Sequence, residues 1–384
     1  MNIKVLKSIY YRKESETNEA YDKTAAFIKL MVSEETPEAR KEKIEISQIS
    51  SSRELSALSY TGRKKGSLKL VKSMSKALLT THSDLIKAGL GDLTTAGSPI
   101  AVTGVTNTVI TASSTGYVAG DIIQITADNI QLQHLLVVES DASTVTVRNE
   151  LTDEEVAIIT AATTKTVKKL SKCKIGSPLQ GSTFTVVREY GDGEIEVARG
   201  CGVAINFEIV TTGEAKVNID FMAAHFDYKD EYNQPYEMIT GSITTETNQT
   251  PVLFDFKSSI LRDIDNTVDK VLFPQSLALK TSHTLIENDL IGGLNNVVGF
   301  YIQPKVDCEA NFHYSSTNRL LFDDSHETDS TQFYFTGQSN FSFYAPSCFF
   351  IGQNPADHNV YDSINVLMNI NSHETLEPVI CLPQ

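Results

Sequence analysis

The 384-residue chain predicts a mainly β protein: a duplicated β-sandwich with a short helix in each half and a small β-barrel or sandwich inserted in the first half. Three observations carry that expectation. Val203, Ile205, Phe207 and Ile209 alternate with small or polar residues, as do Val217, Ile219 and Phe221, and Gly213 sits in the break between the two runs. This period of two is that of half-buried antiparallel strands joined as a hairpin. From Gly97 to Lys169 the texture turns abruptly to Thr, Val, Ile, Ala and Ser. Finally, Val306, Cys308, Ala310, Phe312 and Tyr314 alternate, then Phe333, Phe335, Phe341 and Phe343, so the second half echoes the first.

Taken in order, Ala25 to Val32 fits a strand or a short helix, and Glu34 to Lys43 reads as a charged, solvated loop or helix. Ile44 to Ser50 alternates as a strand, and Arg53 to Gly66 reads as a loop with Gly62 and Gly66 bracketing a basic cluster. Ser67 to Val71 re-enters as a strand, and Met74, Leu78, Leu85 and Ile86 fall near helical spacing before Gly89 and Gly91 stop the helix. Gly120 to Ile125, Leu135 to Glu139 and Ser143 to Val147 are three short strands separated by turn residues, the spacing of a small barrel or sandwich. Gly181 to Val187 resumes the parent sheet, Val252 to Arg262 is expected to be helical, and Gln275 to Thr281 follows. The expected domains are 1–94 with 171–230, the insert 95–170, and 231–384. Without the insert each half has roughly 150 residues, near the modal domain size.

Charge and cysteine usage narrow the function classes. Lys and Arg number 33 against 48 Asp and Glu, a formal net charge of -15, which works against tight nucleic-acid binding. It suits either plain solubility or a lumen through which DNA slides without sticking. Cys173, Cys201, Cys308, Cys348 and Cys381 lie apart, with no C-x-x-C and no Cys/His grouping, so they read as small buried apolar residues. No secretion signal or apolar run of about 20 residues is present, which predicts a chain made in a reducing cytoplasm.

Catalytic patterns are sparse. Ser73-Met74-Ser75-Lys76 matches S-x-x-K without the companion elements of that chemistry, and no nucleophile elbow, P-loop or H-E-x-x-H occurs. His225, His283, His313, His326, His358 and His373 are dispersed. Asp323, Asp324, Glu327 and Asp329 form an acidic cluster that lacks the glycine of an EF-hand loop and reads as solvated. Sugar platforms favour Trp, which is absent here, although 14 Tyr are present. The expectation is a protein that is not an enzyme, with no cofactor and no metal site.

The order of these features resembles the tail tube proteins (major tail proteins) of tailed bacteriophages. An early strand and long loop (Ile44 to Gly66) lead to a strand and a helix ending at Leu90-Gly91. Gly120-Asp121-Ile122-Ile123 and Val145-Thr146-Val147 come next, followed by Ser182 to Val187 and the Gly-Cys hairpin Gly200 to Phe221. Leu277 to Asp289, Gly292-Gly293 and Lys305 to Tyr314 match the family's later passage. The resemblance implies sandwich subunits whose sheets join edge to edge into rings, three copies with pseudo-sixfold symmetry or six, stacked into a tube. Its implied partners are other copies, other phage tail proteins and DNA passing through the lumen without specific binding, with no membrane. The implied location is the virion tail. The loop carrying Arg53, Glu54, Arg63, Lys64 and Lys65 is the expected inter-ring contact, against the alternative of an ordinary solvated hairpin tip or a phosphate patch. The rival function is a tail-tip adhesin or carbohydrate-binding sandwich.

Overall fold

Period-two segments become strands, beginning with β1 (Leu6–Lys13), β2 (Phe27–Leu30), β3 (Glu34–Ile49) and β4 (Leu55–Ser73). The helices α1 (Ala77–Thr80) and α2 (Ser83–Gly89) and the strand β5 (Leu93–Thr94) follow. This computed structural model describes residues 6–49, 55–75, 77–113, 116–148, 151–175, 182–210, 213–230, 232–247, 253–254, 256–263, 270–272, 276–282, 284–289, 297–303, 305–313, 331–337, 341–356, 363–371 and 378–381. Next come β6 (Ile100–Val105), β7 (Val109–Ala112), β8 (Ile122–Ala127), β9 (Ile130–Ser140), β10 (Thr144–Val147), α3 (Asp153–Ala161) and β11 (Lys165–Lys169). The parent sheet returns with β12 (Lys172–Lys174), β13 (Phe184–Tyr190), β14 (Ile195–Val210), β15 (Gly213–Glu214), β16 (Lys216–Asp227) and β17 (Ile243–Thr244). The second half opens with β18 (Leu253–Phe254), β19 (Phe256–Asp263), β20 (Lys270–Leu272), β21 (Ser276–Thr281), β22 (Thr284–Asp289) and β23 (Val297–Gln303). It closes with β24 (Val306–His313), β25 (Thr331–Gly337), β26 (Phe341–Ala356), β27 (Ser363–Asn371) and β28 (Val379–Cys381).

The pairing pattern repeats. In the first half the spatial order is β2-β1-β13-β14-β16-β4-β3, every neighbour antiparallel. In the second half it is β20-β19-β25-β26-β27-β24-β21, again antiparallel throughout. Each half therefore lays down two hairpins, then threads a three-strand meander between their inner strands. The central strand of each meander, β14 or β26, is 16 residues long. Both meanders carry a register irregularity at the same place: Val186 pairs with Ala198 and Phe184 with Cys201, while Phe333 pairs with Ala345 and Thr331 with Cys348. A bulge there bends the long strand and increases its twist.

The two halves join in one sheet. Glu208, Ile209 and Val210 at the end of β14 pair with Lys280, Leu279 and Ala278 of β21. At the other seam, β26 pairs with β28, β28 with β12, and β12 with β5. One apolar cluster runs across the joint, with Phe184, Cys201, Val203, Phe207 and Phe221 from the first half packed with Leu279, Cys308, Phe343, Ala345 and Cys348 from the second. All five cysteines are buried and free.

Several local expectations change. Val252 to Arg262 is not helical: Leu253–Phe254 and Phe256–Asp263 are strands, and β19 pairs on one side with β20 and on the other with β25. A short apolar run of Phe, Ile and Leu fits either period, and ladder partners on both edges decide it. Thus the described residues of the second half hold no helix. The position equivalent to α1 and α2, between β24 and β25, and with it the acidic cluster Asp323, Asp324, Glu327 and Asp329, falls outside the described residues. Glu34 to Lys43, expected as a loop or helix, and most of Arg53 to Gly66, expected as a loop, instead belong to the two long strands β3 and β4. The helix expected over Met74 to Ala88 is broken at Thr81-His82 into α1 and α2.

The six strands β10-β7-β6-β11-β8-β9 close into a barrel. Its interior is filled by Ile110, Ile123, Ile125, Leu135, Val137, Val145, Ile159 and Val167. The opposite face of β8 and β9 is buried too, because Ile122 and Leu136 pack with Tyr334, Tyr344, Val379 and Cys381 of the main sheet. Around that contact His134 Nδ1 lies 2.9 Å from Ser342 Oγ, and Asp121 accepts from Lys172 Nζ at 2.7 Å and pairs with Lys169 Nζ at 2.8 Å. Burial alone would push the Asp121 carboxyl up, but the two lysines hold it below its ordinary value. The insert is therefore docked and its removal would uncover apolar surface. Leu136→Ala, outside the barrel's own core, is expected to cost about 2 to 5 kcal/mol in denaturant unfolding; an unchanged midpoint would mean that the barrel does not rest on the sheet.

Candidate assembly interface

β4 has two different lives along its length. From Gly66 to Val71 it is paired on both edges, with β16 (whose ladder runs from Gly66↔Ala223 to Ser73↔Lys216) and with β3. Beyond Gly66 the partnership with β16 ends, while the ladder with β3 runs on to Ile49↔Leu55. Among the described residues Ala39–Ile49 and Leu55–Lys65 therefore form a two-stranded arm. A Cβ on Gly66 would meet Phe226 Cδ1 at 2.1 Å, so glycine lets the Phe226 ring close over the strand where the arm departs.

Arg63, Lys64 and Lys65 thus stand on a strand of the arm rather than in a loop, and Arg53 and Glu54 lie outside the described residues. In register, Lys65 is opposite Arg40 and Lys64 opposite Lys41. Like charges directly across a ladder are unfavourable. The second half has its own version: β22 and β23 pair as a separate hairpin lying between β21 and β24 in the chain. The sequence reading missed this second arm, although Leu285 to Asn288 and Val297 to Gln303 flank Gly292-Gly293 as hairpin limbs would.

Two buried ionic groups tie the sheet-paired parts of β3 and β4 to the rest of the first half. Arg188 of β13 donates to Glu35 of β3 through Nη2 at 2.7 Å and Nε at 3.3 Å, and it also pairs with Glu196 of β14. The sheet curls enough to bring its edge strand β3 over β13. In the second group, Glu246 reaches back from the segment after β17 to lie 2.9 Å from His82 Nε2 and to accept from the Met31 backbone N–H at 2.9 Å and from Lys72 Nζ. Lys72 also donates to the Met31 carbonyl at 3.2 Å, and Tyr11 Oη lies 2.7 Å from His82 Nδ1. One carboxylate therefore ties β1, β2, β4 and the start of α2 together. Burial would raise the Glu246 carboxyl, but the His82, Lys72 and Met31 donors outweigh it and hold it down to about 2.

The chain between β16 and β18 acts as a strap. Thr240 and Gly241 N–H groups donate to the Lys23 carbonyl at 2.8 and 3.0 Å, and Ile243–Thr244 pairs in parallel with Phe27–Ile28. Gly241 is required there, since a Cβ would sit 2.0 Å from the Ala25 carbonyl oxygen. Under the strap Tyr10, Phe27, Val187, Ile195 and Val197 form a second apolar layer with Tyr21, Tyr236 and Ile239.

Ser75 Oγ, on the one buried serine of the S-x-x-K match, has no hydrogen-bond partner among the described residues, and Lys76 lies outside them. No group of three or more metal-ligating side chains occurs among the described residues. No described helix is long and apolar enough to cross a membrane. No protein-family model matches the chain, and no curated protein matches it either.

The Glu246 network gives a signed pH prediction. Its folded value, about 2 against an ordinary 4.5, corresponds to about 3 kcal/mol of stability. This contribution is complete above about pH 4.5 and is lost as pH falls toward about 2. Glu246→Gln is expected to lower unfolding free energy at pH 7 by about 3 to 5 kcal/mol, because buried Lys72 loses its counter-charge. The variant should also flatten the acid limb of stability against pH, and an acid limb as steep as that of the unchanged protein would contradict this network.

Proposed function

We propose that this chain is a virion structural protein that polymerises into the tail tube of a tailed bacteriophage. The observation that carries this reading is the repeated seven-strand order together with the way its two copies are joined. Within one chain, the end of β14 in the first half pairs with β21, the edge strand of the second. The equivalent surfaces are the far end of β26 and the edge strand β3. Among the described residues β3 pairs only with β4, and β26 beyond Cys348 pairs only with β27. Laying β3 of the next copy beside the Gln353 to Ala356 end of β26 reproduces the internal seam between chains. Open β edges demand pairing or cover, and a rotation that repeats the same seam closes a ring.

In this reading each chain supplies two of six similar positions around a channel, and the arms reach along the axis to the next ring. The basic residues Arg63, Lys64 and Lys65 meet an acidic surface there, consistent with a chain of net charge -15. The same acidity disfavours adhesion of DNA phosphates inside the channel. Catalysis has no role, and the site of action is the virion tail after synthesis in the host cytoplasm.

The arm is the part to test. Purified protein viewed by negative-stain electron microscopy is expected to form tubes or stacked rings. Reversing Arg63, Lys64 and Lys65 together to Glu should slow or abolish elongation while far-ultraviolet circular dichroism stays unchanged, and growth of the unchanged protein should weaken as salt rises. Normal tubes from the triple variant at low salt would remove the arm from the mechanism.

A further inference from the structure

A pocket of about 570 Å³ opens between the Ala20–Thr24 turn and the Asp230–Glu237 stretch of the strap, with Arg199 of β14 in its wall. Arg199 is only 9% exposed, and its Nε is buried without a hydrogen-bond partner. No ion pair or hydrogen bond reaches its guanidinium from any described residue, in contrast to Arg188, which has Glu35 and Glu196. A guanidinium Nε withdrawn from water without an acceptor is costly in an isolated subunit. The acidic side chains around the pocket are engaged elsewhere. Asp230 caps the backbone N–H groups of Tyr232 and Gln234 at 2.9 and 2.8 Å, Asp22 caps Thr24 at 2.8 Å, and Glu237 pairs with Lys23.

We infer that the Arg199 pocket receives a carboxylate side chain from a second copy of this chain. A carboxylate fits better than a phosphate: Asp22, Asp230 and Glu237 stand around the pocket, and their field penalises a dianion more than a monoanion. A macromolecular source is indicated by the surroundings, because Tyr232 is 77% exposed beside the pocket and Met238 and Tyr228 are also exposed on the same strap. Tyr, Met and Arg are the side chains that concentrate at protein interfaces. A second copy is indicated by charge, since the chain carries 48 carboxylate side chains against 33 cationic ones and so offers many ligands of the required kind.

Position agrees with this. Arg199 pairs in register with His225, and Gly66 with Ala223, so the pocket lies at the end of the sheet from which the arm departs. An arm reaching toward another ring brings that ring's facing surface over the pocket. The inference thus rests on the assembly reading and adds to it the residue that anchors the contact.

Arg199→Gln separates this role from a structural one. Deleting an unpaired buried charge is expected to leave the melting temperature of the dissociated subunit unchanged or raise it, while the critical concentration for assembly rises at least about tenfold. Tyr232→Ala, at an exposed site on which the subunit fold does not depend, is expected to raise the critical concentration in the same direction. Sedimentation velocity across a concentration series, with a thermal melt at the lowest concentration, reads both quantities. If the unchanged protein assembles and Arg199→Gln assembles at the same concentration, the carboxylate inference is overturned and the tube reading stands. A melting temperature lowered by several degrees in the dissociated variant would also overturn it, since Arg199 would then have a partner within its own subunit. If the unchanged protein shows no self-association at any concentration, both readings fall.

Discussion

An antiparallel sheet cannot leave its edges to chance, because each edge strand carries a row of unpaired N–H and C=O groups. The chain answers this demand once inside itself, where Glu208–Val210 at the end of β14 is hydrogen-bonded to Ala278–Lys280 of β21. Much else in the architecture follows from that seam. It requires β14 to outrun β13, hence 16 residues and a bulge at Ala198 to Cys201. It fuses the two halves into one sheet over a shared core, so neither half stands as an independent sandwich. β26 has the same length and the same bulge, and among the described residues its corresponding end pairs with β27 alone, which is the basis of the proposed seam between copies.

Anchoring of β3 and β4 to the sheet is the second requirement. A two-stranded ribbon is marginal by itself, and here the sheet-paired ends of the two strands carry ionic groups withdrawn from water. Such groups are poor sources of net stability compared with apolar packing, but they are exacting about geometry. Arg188 meets Glu35 through two nitrogens, and Glu246 accepts from Lys72 and from the Met31 N–H while lying 2.9 Å from His82 Nε2. The strap that delivers Glu246 also builds the Arg199 pocket, so subunit closure and the proposed contact depend on the same segment.

Much of the architecture was legible in residue order, and the reason differs from element to element. The meander Val203 to Phe221 was readable because one face is buried, which makes alternation strict, and the texture change at Gly97 marked the barrel. The Ala198-x-x-Cys201 and Ala345-x-x-Cys348 pairs were visible signs of duplication, yet two residues in four carry little weight until the ladders show both at the same bulge. In the arm, Ile44 to Ser50 was legible as a strand, but Glu34 to Lys43 was read as a loop or helix and Arg53 to Gly66 as a loop, because these stretches are rich in Lys, Arg, Glu and Ser and their pairing comes from each other rather than from an apolar face. Phe256–Asp263 was misread because seven or eight residues of mixed apolar character fit helix and strand alike. The Glu246 network and the Arg199 pocket were not legible at all: their members are separated by up to more than a hundred residues and meet only through the curl of the sheet and the path of the strap.

The central claim is that one chain holds two of the repeating positions in a closed ring. Native mass spectrometry or mass photometry of single rings, released from tubes or trapped before stacking, tests it most directly. Three copies of the 42.2 kDa chain per ring, with six similar lobes in class averages, is the result this account predicts. Six copies per ring, or a monodisperse monomer at every concentration, would contradict it.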